Sequence, residues 1–157
     1  MRTIKALMFC EAAHAGQVRK YTGEPYAEHP QEVMAILEGI GITDTDMLCA
    51  ALLHDVIEDT DFTFRDIYRE FGFKVAWMVL GLTDISRPED GNRVARKAID
   101  RDHLACGDAD VQTIKLADLI SNTKSIKEHD PKFWKVYREE ALLLLDVLVK
   151  GDSVLRD

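Results

Sequence analysis

Several features that would set this chain of 157 residues apart from ordinary globular proteins are scarce or missing. It has only three cysteines, Cys10, Cys49 and Cys106, with no regular spacing and no Cys-x-x-Cys pair, which argues against a disulfide scaffold or a zinc knuckle. We therefore expect reduced thiols and a cytoplasmic protein. No apolar run approaches the ~18–20 residues that span a bilayer, and the segment Met1-Arg-Thr-Ile-Lys5 lacks a signal-peptide pattern.

Positive charge is also in short supply. The chain has 20 Lys and Arg residues against 28 Asp and Glu residues, for a formal net charge of -8. This balance argues against a nucleic-acid polymer as partner, because no basic footprint is present to bind a phosphate backbone. A small polyanionic ligand is still compatible with the sequence if a metal ion and a few local cations offset the negative field.

No segment shows the strict alternation of a β-strand, whereas apolar residues recur with helical spacing along nearly the whole chain. The prediction is an all-α bundle in a single domain, residues 1–157, with a helical core at about 3–149 and a short C-terminal tail. Thr43 or Thr45, with Asp46, is expected to cap the third helix. The predicted helices cover about 3–15, 30–39, 63–82 with a break at Phe71-Gly72, 92–106, 110–127 and the residues after Pro131, and the third helix carries His54-Asp55.

The most informative segment is an apolar run that ends in ionisable residues. Met47 to Leu53 are all apolar, and His54-Asp55 follows directly, with Glu58 and Asp59 three residues further on. On one helix His54, Asp55 and Glu58 would share a face. Burying a carboxylate is costly unless it is paired or bound to a cation, so the pattern indicates a metal site. A buried His-Asp hydrogen bond that caps a core helix is the structural alternative.

Two distant residues extend this pattern. His29 precedes Pro30, and Asp118 lies in Lys115-Leu-Ala-Asp118, so that the four candidate ligands His29, His54, Asp55 and Asp118 come from three predicted helices. Helix bundles build metal sites in this way, and two imidazoles with two carboxylates suit Mn²⁺, Fe²⁺ or Zn²⁺. Taken singly, each is better explained structurally, His29 as a helix-start residue and Asp118 as a buried carboxylate hydrogen-bonded to the backbone, so the joint occurrence carries the argument.

These residues belong to longer motifs that resemble a known family. The chain is similar to the HD-domain metal-dependent phosphohydrolases, and within them to the RelA/SpoT-type alarmone hydrolases, especially their stand-alone small form. The resemblance covers nearly the whole chain. It rests on Ala13-His14, Gln17-Val-Arg19-Lys20, Gly23-Glu-Pro-Tyr26, His29-Pro30, Ala51-Leu-Leu-His-Asp-Val-Ile-Glu-Asp-Thr60, Phe71-Gly72, Gly81-Leu-Thr83 and Lys115-Leu-Ala-Asp118.

The resemblance implies a role for each matching residue. It implies Mn²⁺ as the metal and Glu58 with Asp59 as the catalytic carboxylates. Arg19 and Lys20 match residues that line the purine pocket, although alone they would read as a solvated charge pair. The resemblance also suggests three further substrate-binding residues: Asn122 near the ribose and base, Ser125 where relatives have Thr, and Tyr137 beside the 5′-phosphates.

Two positions depart from the family pattern and remove positive charge. Leu119 stands where relatives have Arg or Lys, and Asp84 stands where many have Lys. We expect these changes to affect the affinity for phosphates. The basic residues Arg93, Arg96, Lys97 and Arg101 could compensate, or they could form a solvated helix face.

The resemblance implies hydrolysis of the 3′-pyrophosphate of guanosine tetra- or pentaphosphate, the alarmones of the stringent response, to give GDP or GTP and pyrophosphate. One alternative is an HD phosphohydrolase acting on another nucleotide, such as a nucleoside monophosphate or a nicotinamide dinucleotide phosphate. The other is a non-catalytic nucleotide-binding module, which the intact ligands and Glu58-Asp59 disfavour. The expected partner is a small guanine nucleotide, with no membrane involved, and the sequence leaves a homo-oligomer open.

Overall fold

Helices form all the regular structure in the computed structural model of the chain, which describes residues 1–157. The only β-type pairing is an isolated bridge between Val18 and Pro25. The all-α prediction is confirmed. The helices are α1 (Arg2–Ala13), α2 (Glu28–Gly39), α3 (Thr45–Leu53), α4 (Val56–Asp59), α5 (Phe64–Phe71), α6 (Phe73–Leu82), α7 (Arg93–Ala105), α8 (Ala109–His129), α9 (Pro131–Val147) and α10 (Ser153–Arg156), with a 3-10 turn at Pro88–Asp90.

The chain divides into two compact units, Met1–Thr83 and Asp84–Asp157. In the first unit α3 is the central helix, and α1, α2 and α6 pack against it. Every residue from Met47 to Leu53 is buried, because a helix that is apolar on all sides needs neighbours on all sides. The end of this helix, where His54 follows Leu53, therefore lies in the interior of the unit. That the whole chain is one domain stays a prediction.

The second unit is built on the long helix α8, against which α7, α9 and α10 pack. Leu104, Leu116 and Leu148 form its buried apolar core. Gln112 is also fully buried, and its side chain donates to the Leu104 carbonyl at 3.1 Å and accepts from the Lys150 backbone N–H at 2.8 Å. These two bonds tie the end of α7 and the segment after α9 to the first turns of α8.

The segment around His54 differs from the single helix that the sequence predicts. α3 ends at Leu53, and a separate four-residue helix, α4, begins at Val56. Asp55 has φ -99° and ψ -1°, which departs from regular α-helical values, so the regular helix is interrupted at the His-Asp pair. The expectation that one helix carries His54, Asp55 and Glu58 is corrected, although Asp55 still lies close to both His54 and Glu58.

The N-terminal cap of α3 also differs from the prediction. Asp44 caps the helix instead of Thr43 or Thr45, and its carboxylate accepts from the backbone N–H groups of Asp46 and Met47 at 2.8 and 3.2 Å. A carboxylate at this position is favoured because it also interacts with the positive end of the helix dipole. The break at Phe71-Gly72 is confirmed by α5 and α6. No helix is both long enough and apolar enough to cross a membrane.

Candidate metal centre

His29, His54 and Asp55 come together at the end of α3. One possible ligand atom from each of them lies within 4.8 Å of the others. The His54 Nε2 atom is 2.9 Å from Asp55 Oδ2, and His29 Nε2 is 3.9 Å from the same oxygen. Both imidazoles are only 3% exposed. Three of the four ligands predicted from the sequence are thus brought into one buried cluster.

The orientation of His54 is fixed by the backbone of α3. Its Nδ1 atom lies 2.7 Å from the Ala51 carbonyl oxygen, which can only accept, so Nδ1 is the protonated nitrogen. In the neutral imidazole Nε2 then presents a lone pair towards the Asp55 carboxylate oxygen, which also has only lone pairs to offer. A cation or a proton is needed between these two atoms, and a divalent metal meets this need directly. The donor set therefore fits a metal ion.

Tyr26 is a site residue that reasoning from the sequence did not single out. Its hydroxyl donates to Asp55 Oδ2 at 2.5 Å, and its ring lies 6.0 Å from the His29 ring, measured between centroids. Such a hydrogen bond fixes the orientation of a ligand carboxylate. The feature of the sequence that could have identified Tyr26 is its position at the end of Gly-Glu-Pro-Tyr26, three residues before His29. α2 begins at Glu28, so Tyr26 lies just before the helix that carries His29.

The two predicted catalytic carboxylates lie beside this cluster. Glu58 and Asp59 are on α4, and one oxygen from each lies within 4.8 Å of a carboxylate oxygen of Asp55. Partial burial and the negative charge of Asp55 raise the pKa of Asp59 above its ordinary value. Both residues also reach solvent. The arrangement places two candidate proton acceptors next to the imidazole and carboxylate ligands.

Asp118, the fourth predicted ligand, lies on α8 in the second unit. It is 4% exposed, and its two oxygens accept from Lys115 Nζ at 2.7 Å and from Asn122 Nδ2 at 3.0 Å. Burial acts to lower the pKa of Lys115, but the adjacent Asp118 carboxylate outweighs this and raises it above the usual range. Asp118 is therefore a buried carboxylate that two side chains of its own helix hold in place. Its role as a ligand stays a prediction.

Three predicted substrate-binding residues lie in the same unit. Asn122 donates to Asp118, and Tyr137 interacts with both of these side chains. Burial first, and then the Asp118 charge, raise the pKa of Tyr137 to about 12, so it is a neutral hydrogen-bonding group at physiological pH. Ser125 lies one turn further along α8 than Asn122, where its backbone carbonyl accepts from His129. Asn122 and Tyr137 thus form one cluster with Asp118.

The two predicted purine-pocket residues have different surroundings. Arg19 is mostly buried, and its guanidinium lies 3.5 Å from Glu32 Oε2 on α2. Lys20 is exposed, with its ammonium group 5.2 Å from the centre of the Tyr21 ring. A guanidinium held by a carboxylate is positioned in advance for stacking or for phosphate contact.

The basic residues of α7 have different surroundings. Arg93 makes two hydrogen bonds to the Glu140 carboxylate, at 2.6 and 2.9 Å, so its charge is already neutralised. Lys97 and Arg101 line a small cavity together with Asp84 and Tyr137. Leu119 lines the same cavity but is 6% exposed, because it belongs to the packed face of α8.

An all-α chain with a His, His-Asp cluster beside two carboxylates is the arrangement expected of an HD-domain protein. A family model described as HD domain matches residues 6–144, and the chain belongs to this family. The resemblance inferred from the motifs is confirmed.

The relatives include stand-alone hydrolases. The chain is 36% identical over 152 residues to the guanosine-3′,5′-bis(diphosphate) 3′-pyrophosphohydrolase MESH1 of Xenopus tropicalis, covering 94% of this chain and 83% of that protein. A solved structure described as a metazoan ortholog of SpoT that hydrolyzes ppGpp is similar with a TM-score of 0.88 and 31% identity, over 99% of this chain and 89% of the other. The chain is also 35% identical to the probable GTP diphosphokinase RSH3 of Arabidopsis thaliana, but it spans only 20% of that longer protein's length.

Proposed function

We propose that this protein is a metal-dependent hydrolase that removes the 3′-pyrophosphate of guanosine tetraphosphate or pentaphosphate. The products are GDP or GTP and pyrophosphate. The observation that supports this most strongly is the cluster of the buried His29 and His54 with Asp55, with Glu58 and Asp59 beside it. It occurs in a chain that aligns over 94% of its length with a protein named for this reaction.

His29, His54 and Asp55 would hold the metal, which we propose to be Mn²⁺. When bound, such an ion lowers the pKa of a water molecule and withdraws charge from a phosphoryl oxygen. Imidazole and carboxylate ligands suit Mn²⁺ but also Fe²⁺ and Zn²⁺, so the choice of Mn²⁺ rests on the family resemblance. The assignment of Asp118 as a fourth ligand rests on the resemblance as well. Its two oxygens accept from Lys115 and Asn122, so any ion there would be bound beside these side chains.

Glu58 and Asp59 would handle the proton of the attacking water. The water oxygen forms a bond to the inner phosphorus of the 3′-pyrophosphate, and the bond from that phosphorus to the ribose 3′-oxygen breaks. The water proton passes to a carboxylate, and the 3′-oxygen takes up a proton as it leaves. A raised pKa suits Asp59 to accept a proton near neutral pH better than an ordinary Asp does.

The guanosine would be bound by Arg19, Lys20, Asn122, Ser125 and Tyr137. Support differs among them: Arg19 is held by Glu32, and Asn122 and Tyr137 belong to the Asp118 cluster. A guanine nucleotide fits the net charge of -8 only if the metal and these local cations offset it. A cytoplasmic location and a homo-oligomer stay predictions from the sequence.

One observation favours a second candidate, hydrolysis of a different nucleotide such as a nucleoside monophosphate or a nicotinamide dinucleotide phosphate. Asp84 and the buried Leu119 stand at positions where the family resemblance implies Lys or Arg, so that positive charge is lost there. Burial raises the pKa of Asp84, with Lys115 acting in the opposite direction. A site with fewer cations would bind a less highly charged nucleotide with a smaller penalty.

Comparing the rates of hydrolysis of four nucleotides distinguishes the two candidate functions. The purified protein with Mn²⁺ is assayed for kcat/KM on guanosine tetraphosphate, GTP, a nucleoside monophosphate and a nicotinamide dinucleotide phosphate. The proposal predicts that guanosine tetraphosphate is the best substrate and that GTP is poor, because GTP lacks the reacting 3′ group. Faster turnover of either of the other nucleotides would move the protein to the second candidate.

A further inference from the structure

His14 is a buried histidine that the proposed chemistry does not yet use. It follows the last residue of α1 and is 2% exposed. Its Nδ1 atom lies 2.9 Å from Gln17 Oε1, while its Nε2 atom is buried without a hydrogen-bond partner. A buried polar atom left without a partner costs free energy, and a leucine would fill similar space without this cost.

The Gln17 amide connects His14 with the catalytic carboxylates. Its Nε2 atom donates to the backbone carbonyl of Asp59 at 3.0 Å, so its oxygen is the atom that faces His14. An amide oxygen only accepts, and His14 Nδ1 is therefore protonated. The carbonyl of Asp59 thus fixes the orientation of Gln17, and Gln17 fixes the protonated nitrogen of His14.

This chain of bonds ends at α4, a helix that is too short to be stable by itself. α4 has four residues, Val56–Asp59, and includes both Glu58 and Asp59. So short a helix is unstable in isolation, and the carbonyls of its last turn have no partner within the helix. The buried Val56 side chain, the backbone bonds Asp59 N–H to Asp55 O and Thr60 N–H to Val56 O, and the Gln17 bond are among the contacts that hold it. Gln17 supplies the partner for the last carbonyl of the helix.

The same imidazole supports the metal side of the site. The His14 ring packs against the Tyr26 ring at 4.8 Å between centroids, and the Tyr26 hydroxyl donates to Asp55. His14 therefore contacts both Tyr26, which donates to the Asp55 carboxylate, and Gln17, which donates to the Asp59 carbonyl.

We propose that His14 is a positioning residue for the hydrolysis, which acts through Gln17 to hold the backbone of Asp59 and so the carboxylates of α4 in place. The inference rests on the proposed function for its effect on turnover. Its effect on the α4 backbone does not depend on which substrate is cut. Gln17 acts as the link in this arrangement, and neither residue touches the substrate.

The test is a double-mutant cycle of His14→Leu and Gln17→Leu, with His103→Leu as the matched control on α7. Each single substitution is expected to lower kcat for guanosine tetraphosphate by about 10–100-fold, the range for residues that orient site groups. KM and the Mn²⁺ content should change little, since the ligands are intact. The double variant should be no worse than either single variant, because both substitutions break one chain of contacts. His14→Asn retains an N–H near Nδ1 and should recover most of the rate.

Hydrogen exchange supplies a readout without turnover. The Asp59 and Thr60 amides should exchange faster in His14→Leu and Gln17→Leu, while the amides of α3 keep their protection. Unchanged exchange at these amides, additive losses in the double variant, or a lower melting temperature with normal kcat would each overturn the role of His14. If the wild-type protein does not cleave guanosine tetraphosphate, the proposed function fails, and the exchange result still decides whether His14 holds α4.

Discussion

At the scale of single residues, the site depends on how each ligand is oriented. The Ala51 carbonyl turns the lone pair of His54 towards Asp55, and the Tyr26 hydroxyl holds the Asp55 carboxylate from another side. These two contacts orient the proposed ligands His54 and Asp55 towards the position of an ion. Pre-orientation of this kind raises metal affinity.

Tyr26→Phe tests this orientation with the loss of one oxygen atom. We expect Mn²⁺ affinity to fall about 10–100-fold, because the Asp55 carboxylate loses the hydrogen bond that orients it. The fold should persist, since the ring still packs against His14. Isothermal titration calorimetry measures the change, with Tyr68→Phe on the exposed face of α5 as the control. Equal affinities in the two variants would show that the hydroxyl has no part in metal binding.

Glu58→Gln separates a catalyst from a ligand. The amide keeps the size of the side chain but cannot accept a proton, so we expect the rate to fall by roughly 10²–10⁴-fold with the metal retained. Metal content by elemental analysis, measured on the same samples as kcat, checks both parts. A variant that loses its metal would make Glu58 a ligand and our assignment of roles wrong.

The sequence predicts the clustered histidines and carboxylates of the site, but it does not predict the hydrogen bonds that hold them in place. His54 and Asp55 stand out in the sequence because ionisable residues directly after an apolar run are costly to bury unless they are paired or bound to a metal, and His29 stands out by its place in the His29-Pro30 motif. Tyr26 and Gln17 give no such signal, because their roles depend on which backbone and carboxylate atoms the fold brings near them. A single hydrogen bond between distant segments has no periodicity to detect.

At the scale of elements, the break between α3 and α4 is what forms the site. Helical periodicity predicts one helix through His54 and Asp55. It misses the interruption because two residues are too few to disturb the spacing of the apolar residues. α3 ends at Leu53, so Asp55 lies between α3 and α4, where its carboxylate is close to both His54 and His29. The cap was missed for a related reason, since Thr43, Asp44 and Thr45 are all good capping residues and only the backbone decides among them.

Asp44→Ala tests the cap of the helix that ends at the site. Removing it should cost about 1 kcal/mol of stability at neutral pH, within the range of N-cap losses. The hydrogen bond from Lys74 first, and then those from the Met47 and Asp46 backbone, hold the pKa of Asp44 below its ordinary value. An unfolded chain then binds the proton more readily, so this contribution is present above the unfolded pKa of ~3.9 and is lost as the pH falls below it.

Urea unfolding at a series of pH values measures this dependence, with the exposed Asp61→Ala variant as control. The difference in stability between wild type and Asp44→Ala should shrink as the pH falls from neutral towards acid. A difference that stays constant across this range would show that the Asp44 charge does not contribute to the cap.

At the scale of the whole molecule, metal binding and stability should be coupled. A ligand that binds only the folded state stabilises it by mass action, by about 2.7 kcal/mol at a concentration one hundred times its Kd. We therefore expect Mn²⁺ to raise the melting temperature of the wild-type protein and a chelator to reverse the effect. His54→Ala should lose bound metal and the Mn²⁺-dependent shift together. Unchanged metal content in this variant would remove His54 from the ligand set.

The central claim concerns which bond the protein breaks, and phosphorus NMR of the products tests it most directly. The wild-type protein is incubated with Mn²⁺ and guanosine tetraphosphate, with Glu58→Gln as the control for a contaminating activity. We predict GDP and pyrophosphate in equal amounts, with no orthophosphate formed in proportion. Stoichiometric orthophosphate released from guanosine tetraphosphate would contradict the account.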